Sequence, residues 1–227
     1  MKIAFCLTGQ PRCYEQGFSY ISKNLLYQYD VDVFFHTWNN PNVDYGKIIN
    51  LYNPKDYTID EPFNREFADK YTRVSNMKFP AYNTLSSFFS VFNSVFLKRK
   101  YEMQNNVKYD AVVRCRFDMA LNFTPDFVAM ESEMLYVPDD LFAIGNELIS
   151  DHFAYGDSNV MDKYSTTFIN ADALYDQGTV MNSEEMCTAN IHLNNLKLKR
   201  INLNNPFPPD SYGSLPHSFI RADMNKW

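Results

Sequence analysis

Two apolar runs near the start of the chain set its reading. KIAFCLT at residues 2–8 and VDVFFHTW at residues 31–38 are nearly continuous stretches of aliphatic, β-branched and aromatic side chains. That is the pattern of strands buried on both faces. Between them, EQGFSYISKNLLYQY sets Phe18, Ile21, Leu25 and Leu26 close to one face of a helix, so the first sixty residues predict a βαβ unit. Residues 39–80 are rich in turn formers and predict a loop-rich excursion with small helices and one short strand around Tyr57–Ile59. A long helix follows from about Asn83 to Gln104, its apolar stripe made by Leu85, Phe88, Phe89, Phe92, Val95 and Phe96.

The second half alternates in the same way. YDAVVRCRFDMAL at Tyr109–Leu121 predicts a central strand, and EMLYVPD another. DHFAYGDS predicts a strand turning into a helix over about Asn159–Asp176. Ser183 with Glu184 and Glu185 starts a further helix, and KLKRINL predicts a late strand. The prolines at 206, 208, 209 and 216 do not continue regular structure. Strands alternating with helices define an α/β fold of Rossmann type, with a mixed, mainly parallel sheet flanked by helices, and 227 residues suit a single domain, 1–227.

Charge and cysteine content then remove several classes of function. A formal net charge of −6 argues against non-specific binding to nucleic acid or anionic membranes, which relies on a basic surface. The one dense basic run, LKRK at Leu97–Lys100, reads as the solvated end of a helix. No segment approaches the roughly 20 apolar residues that span a bilayer, so no transmembrane segment is expected, and MKIAFCL is too short for a signal peptide. Cys6, Cys13, Cys115 and Cys187 lack CxxC spacing and point to a reducing, cytoplasmic setting; His36, His152, His192 and His217 are too scattered for a zinc site.

In open α/β sheets, ligands bind beyond the carboxyl ends of the strands. The residues there are Thr8, Gly9, Gln10, Pro11 and Arg12; His36, Thr37 and Trp38; Arg116, Phe117 and Asp118; and Asp151 with His152. LTGQPR is neither a dinucleotide fingerprint nor a P-loop, but Gly9 lets backbone amides approach a diphosphate and Arg12 offers a planar fork to its oxygens. Arg114 and Arg116 share one face of their strand, and Asp118 joins them if the strand persists. That cluster can hold a phosphate, a metal–phosphate pair, or only itself. Asp151 can act as a general base or serve as a turn aspartate. The Asp30–Asp32 DVD motif sits at the start of its strand and is set aside, as is the Pro138–Asp140 turn.

Taken in order, LTGQPRCYE, VDVFFHTW, YNTLSSFFSV, YDAVVRCRFDMAL, DHFAYGDSNVMDKYS and SEEMCTANIHL resemble a family of GT-A-fold glycosyltransferases found in large DNA viruses, phages and bacterial surface-polysaccharide clusters. They are similar in plan to the N-terminal glycosyltransferase domain encoded by chlorella viruses. The resemblance covers most of residues 1–200 and lies in the series of motifs, not in any one of them. It implies transfer of a sugar from a nucleoside-diphosphate donor to a glycan or glycoprotein acceptor. Residues 1–120 form the nucleotide-sugar half, 121–205 the acceptor-facing half and 206–227 a tail.

By the family pattern, Thr8, Gly9, Gln10 and Arg12 line the nucleotide, His36 and Trp38 flank it, and Asn83 and Ser86 face it from the helix start. Arg114, Arg116 and Asp118 stand in the place of the DxD motif, and Asp151 faces sugar and acceptor. The departure is that Arg116 replaces the first carboxylate. Either Asp118 binds Mn²⁺ or Mg²⁺ with phosphate oxygens and a distant ligand such as His217, or the arginines neutralise the diphosphate unaided. The alternative class is a non-catalytic nucleotide- or sugar-binding module.

Overall fold

A computed structural model describes residues 1–74, 80–138, 148–201 and 217–219. Its order is β1 (Lys2–Thr8), α1 (Tyr14–Ile21), β2 (Asp30–Trp38), α2 (Tyr45–Tyr52), β3 (Asp56–Asp60), α3 (Ala81–Asn105), β4 (Ala111–Arg116) and β5 (Met119–Leu121). There follow β6 (Met134–Pro138), β7 (Ala154–Gly156), α4 (Ser158–Tyr164), α5 (Thr167–Asp176), α6 (Ser183–Leu193), β8 (Lys197–Ile201) and β9 (His217–Phe219). Seven strands form one sheet in the order β3-β2-β1-β4-β7-β6-β8, and β7 alone runs against its neighbours. The α/β class with a mixed, mainly parallel sheet is as expected.

Side chains alternate between the two faces of the sheet, and each face has its own core. Ile3, Phe5, Leu7, Val33, Phe35 and Val113 pack under α1 and α2. Ala4, Cys6, Phe34, Val112, Leu135 and Ala154 pack under α3 to α6. Burying a phenylalanine such as Phe5, Phe34 or Phe35 completely stabilises the fold by about 2–3 kcal/mol each, so the nearly unbroken apolar runs are what commit β1 and β2 to the centre.

Chain direction makes the functional geometry. β2 and β3 lie to one side of β1, and β4 lies to the other. The connection through α3 therefore reverses the winding, and the crevice between the carboxyl ends of β1 and β4 is a topological switch point. At that end β1 leaves the sheet through Gly9, whose φ of +88° suits glycine, and the Gly9 N–H donates to Ser90 Oγ at 2.6 Å.

Four expectations need correction: LKRK is not the solvated end of a helix, since α3 runs on to Asn105 and Lys98 is fully buried. The helix expected over Asn159–Asp176 is broken into α4 and α5, because the Ser165 and Thr166 hydroxyls donate back to the carbonyls of Asp162 and Lys163 and compete with the helical ladder. The central strand does not persist to Asp118: β4 ends at Arg116, a turn follows at Phe117–Asp118, and β5 joins a separate two-stranded sheet. Helix α1 fixes that turn, since a methyl group on Gly17 would collide with the Phe117 carbonyl oxygen. Finally, part of the proline-rich tail does form a strand, His217–Phe219, paired antiparallel with β5. The rest of the tail and Asp139–Asp140 lie outside the described residues.

Candidate functional site

Register across the parallel strands aligns four residues in one row at the carboxyl edge: Thr58 of β3, His36 of β2, Thr8 of β1 and Arg116 of β4. Arg114 lies one step behind Arg116 on the same face, beside Cys6 and Ala154. The Thr8 hydroxyl donates to the Cys115 carbonyl at 3.3 Å and ties the two strands together at the crevice.

Arg116 is the hinge of the site. Its Nε and Nη2 donate to the two oxygens of Asp118, each at 2.8 Å, which the tight turn after β4 makes possible. Burial alone would lower the pKa of this guanidinium, but Asp118 and Asp151 outweigh it and raise the value. Arg12 comes from the loop after β1 into the same field. Burial lowers its pKa, the charge on Asp118 opposes that and the charge on Arg116 adds to it. Arg12 Nε also donates to Gln10 Oε1 at 2.8 Å. Arg12 and Arg116 thus share the field of Asp118, Arg116 also that of Asp151, and Arg114 lies with Asp151 near Tyr164 and Cys187.

Arg114 is fully buried, and its Nε and Nη1 have no hydrogen-bond acceptor among the described residues. It shares two neighbours with Asp151, namely Tyr164 of α4 and Cys187 of α6. Burial pushes the Cys187 thiol up to about 12, so it stays protonated and inert. Ser150 Oγ and Ser86 Oγ are likewise buried without partners. A buried cation with unmet donors is expensive in a resting fold, and such groups concentrate where a ligand completes the bonding. Asp151 is 4% exposed, and its Oδ1 lies 3.1 Å from Nδ1 of His152, whose side chain is 18% exposed.

The other residues singled out from sequence are placed differently. His36 is fully buried, with Nδ1 at 2.9 Å from Ser90 Oγ and Nε2 at 3.2 Å from Asp60 Oδ2. Burial pushes its pKa down to about 4 against the pull of Asp60, so the ring is neutral and both nitrogens are occupied. Trp38 stacks on Phe89 at 5.3 Å and meets Phe63 edge-on, so it belongs to an aromatic cluster under α3. Asn83 is exposed at the amino end of α3, with Ser86 about one turn along. The structure therefore gathers Thr8, Gly9, Arg12, Arg114, Arg116, Asp118 and Asp151 toward the crevice, while His36 at the same edge is engaged by Ser90 and Asp60 and Trp38 by the aromatic cluster.

Ser90 was not singled out; the signal for it was its position four residues after Ser86 on one helix face. A cleft of about 450 Å³ is lined by Pro11, Cys13, Tyr14, Asn42, Asp44 and Lys47 among others.

The described donor set does not suit a divalent cation. No three His, Cys, Asp or Glu side chains converge among the described residues, and both oxygens of Asp118 accept from Arg116. The side chain of His217, named as a distant ligand, lies outside the described residues. No protein-family profile and no curated protein matches the chain. What fold and site define is a class: an α/β protein of Rossmann type with an arginine-rich crevice at its switch point. No helix among the described residues is long and apolar enough to cross a membrane.

Proposed function

We propose that the protein is a cytoplasmic glycosyltransferase that moves a sugar from a nucleoside-diphosphate donor to a glycan or glycoprotein acceptor. The observation that carries this reading is Arg114, a completely buried guanidinium with unmet donors, placed behind Arg116 and Arg12 at the switch point. A crevice that brings arginines to the switch point suits an anionic leaving group. Preorganised cations in a poorly solvated site stabilise charge as it develops on a departing diphosphate, the largest contribution such a site makes.

In this reading the diphosphate lies against Arg116 and Arg12, reached by the loop that Gly9 turns and Ser90 holds. The nucleoside extends toward the cleft beyond Pro11 and Cys13. The sugar faces Asp151, on the side where an inverting transfer requires a base. Cation assistance is left out of the steps, because the described donor set does not fit one.

The second reading, a nucleotide- or sugar-binding module without catalysis, is favoured by the closed Arg116–Asp118 pair, which satisfies both partners without a ligand. Thermal shift separates the two when UDP-, GDP-, dTDP- and CMP-linked sugars are tested with and without Mn²⁺, followed by assay of nucleotide release. Saturating ligand at a hundred times Kd adds about 2.7 kcal/mol to the folded state. A transferase is stabilised by one nucleotide family and releases that nucleotide. A binding module is stabilised and releases none. No shift with any donor overturns both.

A further inference from the structure

We propose that Asp60, His36 and Ser90 form a positioning relay that presets the turn at Gly9 for the donor diphosphate. This rests on the transferase reading above, and it gives His36 a part that needs no contact with the nucleotide. The links come from distant parts of the chain. The Gly9 N–H, at the exit of β1, donates to Ser90 Oγ of α3 at 2.6 Å. Ser90 Oγ lies 2.9 Å from Nδ1 of His36 on β2, and Nε2 of that ring lies 3.2 Å from Oδ2 of Asp60 on β3. Ser90 and His36 are fully buried, and Trp38 and Phe89 meet the imidazole edge-on at 4.9 and 5.3 Å. Asp60, with 44% of its side chain exposed, is the outer end.

The proton positions follow from that outer end. An ionised carboxylate only accepts, so Nε2 carries the hydrogen. Burial lowers the ring's pKa to about 4 and keeps it neutral, which leaves Nδ1 as a lone pair for the Ser90 hydroxyl. The His36 carbonyl, 3.1 Å from Ser90 Oγ, is the longer alternative for that proton. The Ser90 oxygen in turn accepts from Gly9. Every bond then points toward Asp60, the arrangement in which successive hydrogen bonds polarise and strengthen one another. Serine, histidine and aspartate also serve hydrolases as nucleophile, base and orienting group. Here Ser90 is fully buried and already accepts from a backbone amide, so the chain positions and does not attack. What it acts on is Gly9, the pivot at φ +88° of the loop that carries Gln10 and Arg12. A loop already turned when the donor arrives does not have to be ordered by it, and the avoided entropy cost appears as affinity.

The test uses the full chain. In isotope-labelled protein without ligand, the Gly9 amide should exchange with solvent about 3- to 10-fold faster in Ser90→Ala than in wild type. The same variant should raise KM about 3- to 10-fold for whichever UDP-, GDP- or dTDP-linked sugar the wild type uses, with kcat for nucleotide release within about twofold. Ser90→Thr, which keeps the hydroxyl, should bring both readouts back toward wild type. Asp60→Asn should move both in the same direction by less, and it serves if the alanine variant does not fold. A folded Ser90→Ala whose Gly9 amide exchanges at the wild-type rate, or whose donor KM stays within about twofold, overturns the relay and leaves the transferase reading standing. Wild-type protein that neither releases nucleotide nor is stabilised by any donor overturns both.

Discussion

Buried charge is handled in two opposite ways in this molecule. At the amino ends of β1 and β2, Asp32 accepts from the Tyr109 hydroxyl at 2.7 Å and meets Lys2 at 3.0 Å and Lys55 at 3.4 Å. Burial pushes its carboxyl up, but Tyr109 and Lys2 offset this and leave it below its ordinary value. Between α3 and α4, the buried Lys98 ammonium donates to Ser158 and Asp162 at 2.7 Å each and to Glu102 at 3.0 Å. By contrast, Arg114 Nε and Nη1 and the hydroxyls of Ser86 and Ser150 have no hydrogen-bond partner among the described residues. Groups whose bonding is complete within the chain hold the fold; a buried group left incomplete among the described residues is where the proposed ligand would complete it.

The largest expected effect is on the completed side. Lys98→Met removes the cation from a pair of half-buried carboxylates and leaves Glu102 and Asp162 facing each other without it. Breaking such a pair from one side costs about 3–5 kcal/mol. The midpoint of urea unfolding should fall accordingly, while nucleotide binding by whatever protein remains folded is preserved. A midpoint within experimental error of wild type would remove Lys98 from the structural set.

His36 sharpens the comparison, because it sits at the carboxyl edge yet has both nitrogens engaged. Its pKa falls from 6.5 to about 4 on folding, so between those values the unfolded chain binds the extra proton. Stability contributed by the neutral ring is therefore full above pH 6.5 and is lost as pH falls toward 4, amounting to on the order of 3 kcal/mol. Unfolding midpoints measured across this window should show that slope, and His36→Gln should flatten it. A wild-type profile as flat as that of the variant would mean the ring is not the buried neutral group described.

The division between the two sets explains what could be read from sequence. β1, β2 and the stripe of α3 were legible because apolar runs and helical spacing are local properties, and the switch-point logic brought Thr8, Arg12 and Arg116 to one crevice without knowledge of any contact. The turn at Phe117–Asp118 was not legible, since it depends on Gly17 letting α1 approach a carbonyl a hundred residues later in the chain. Nor was the engagement of His36, whose partners Ser90 and Asp60 are 54 and 24 residues away. The break at Ser165–Thr166 was written in local hydroxyls but lost among helix-forming neighbours. Long-range closure of polar groups is what separates His36, with both nitrogens engaged, from Arg114, and one-dimensional pattern does not carry it.

Arg114 gives the smallest expected change in stability and the sharpest division between the two sets. Were it a structural residue like Lys98, its removal would strand the carboxylates around it. Its hydrogen-bonding deficit says otherwise: the guanidinium is buried at the cost of its hydration, and two of its nitrogens gain no acceptor among the described residues. An apolar side chain of similar length carries no such desolvation cost, so the replacement loses little stability. Arg114→Met should therefore melt close to the wild-type temperature while losing the stabilisation that a nucleotide sugar confers. The contrast with Lys98→Met is the result that matters. A fall of several degrees, with ligand response intact, would move Arg114 into the structural set and leave Arg116 and Arg12 to meet the diphosphate alone.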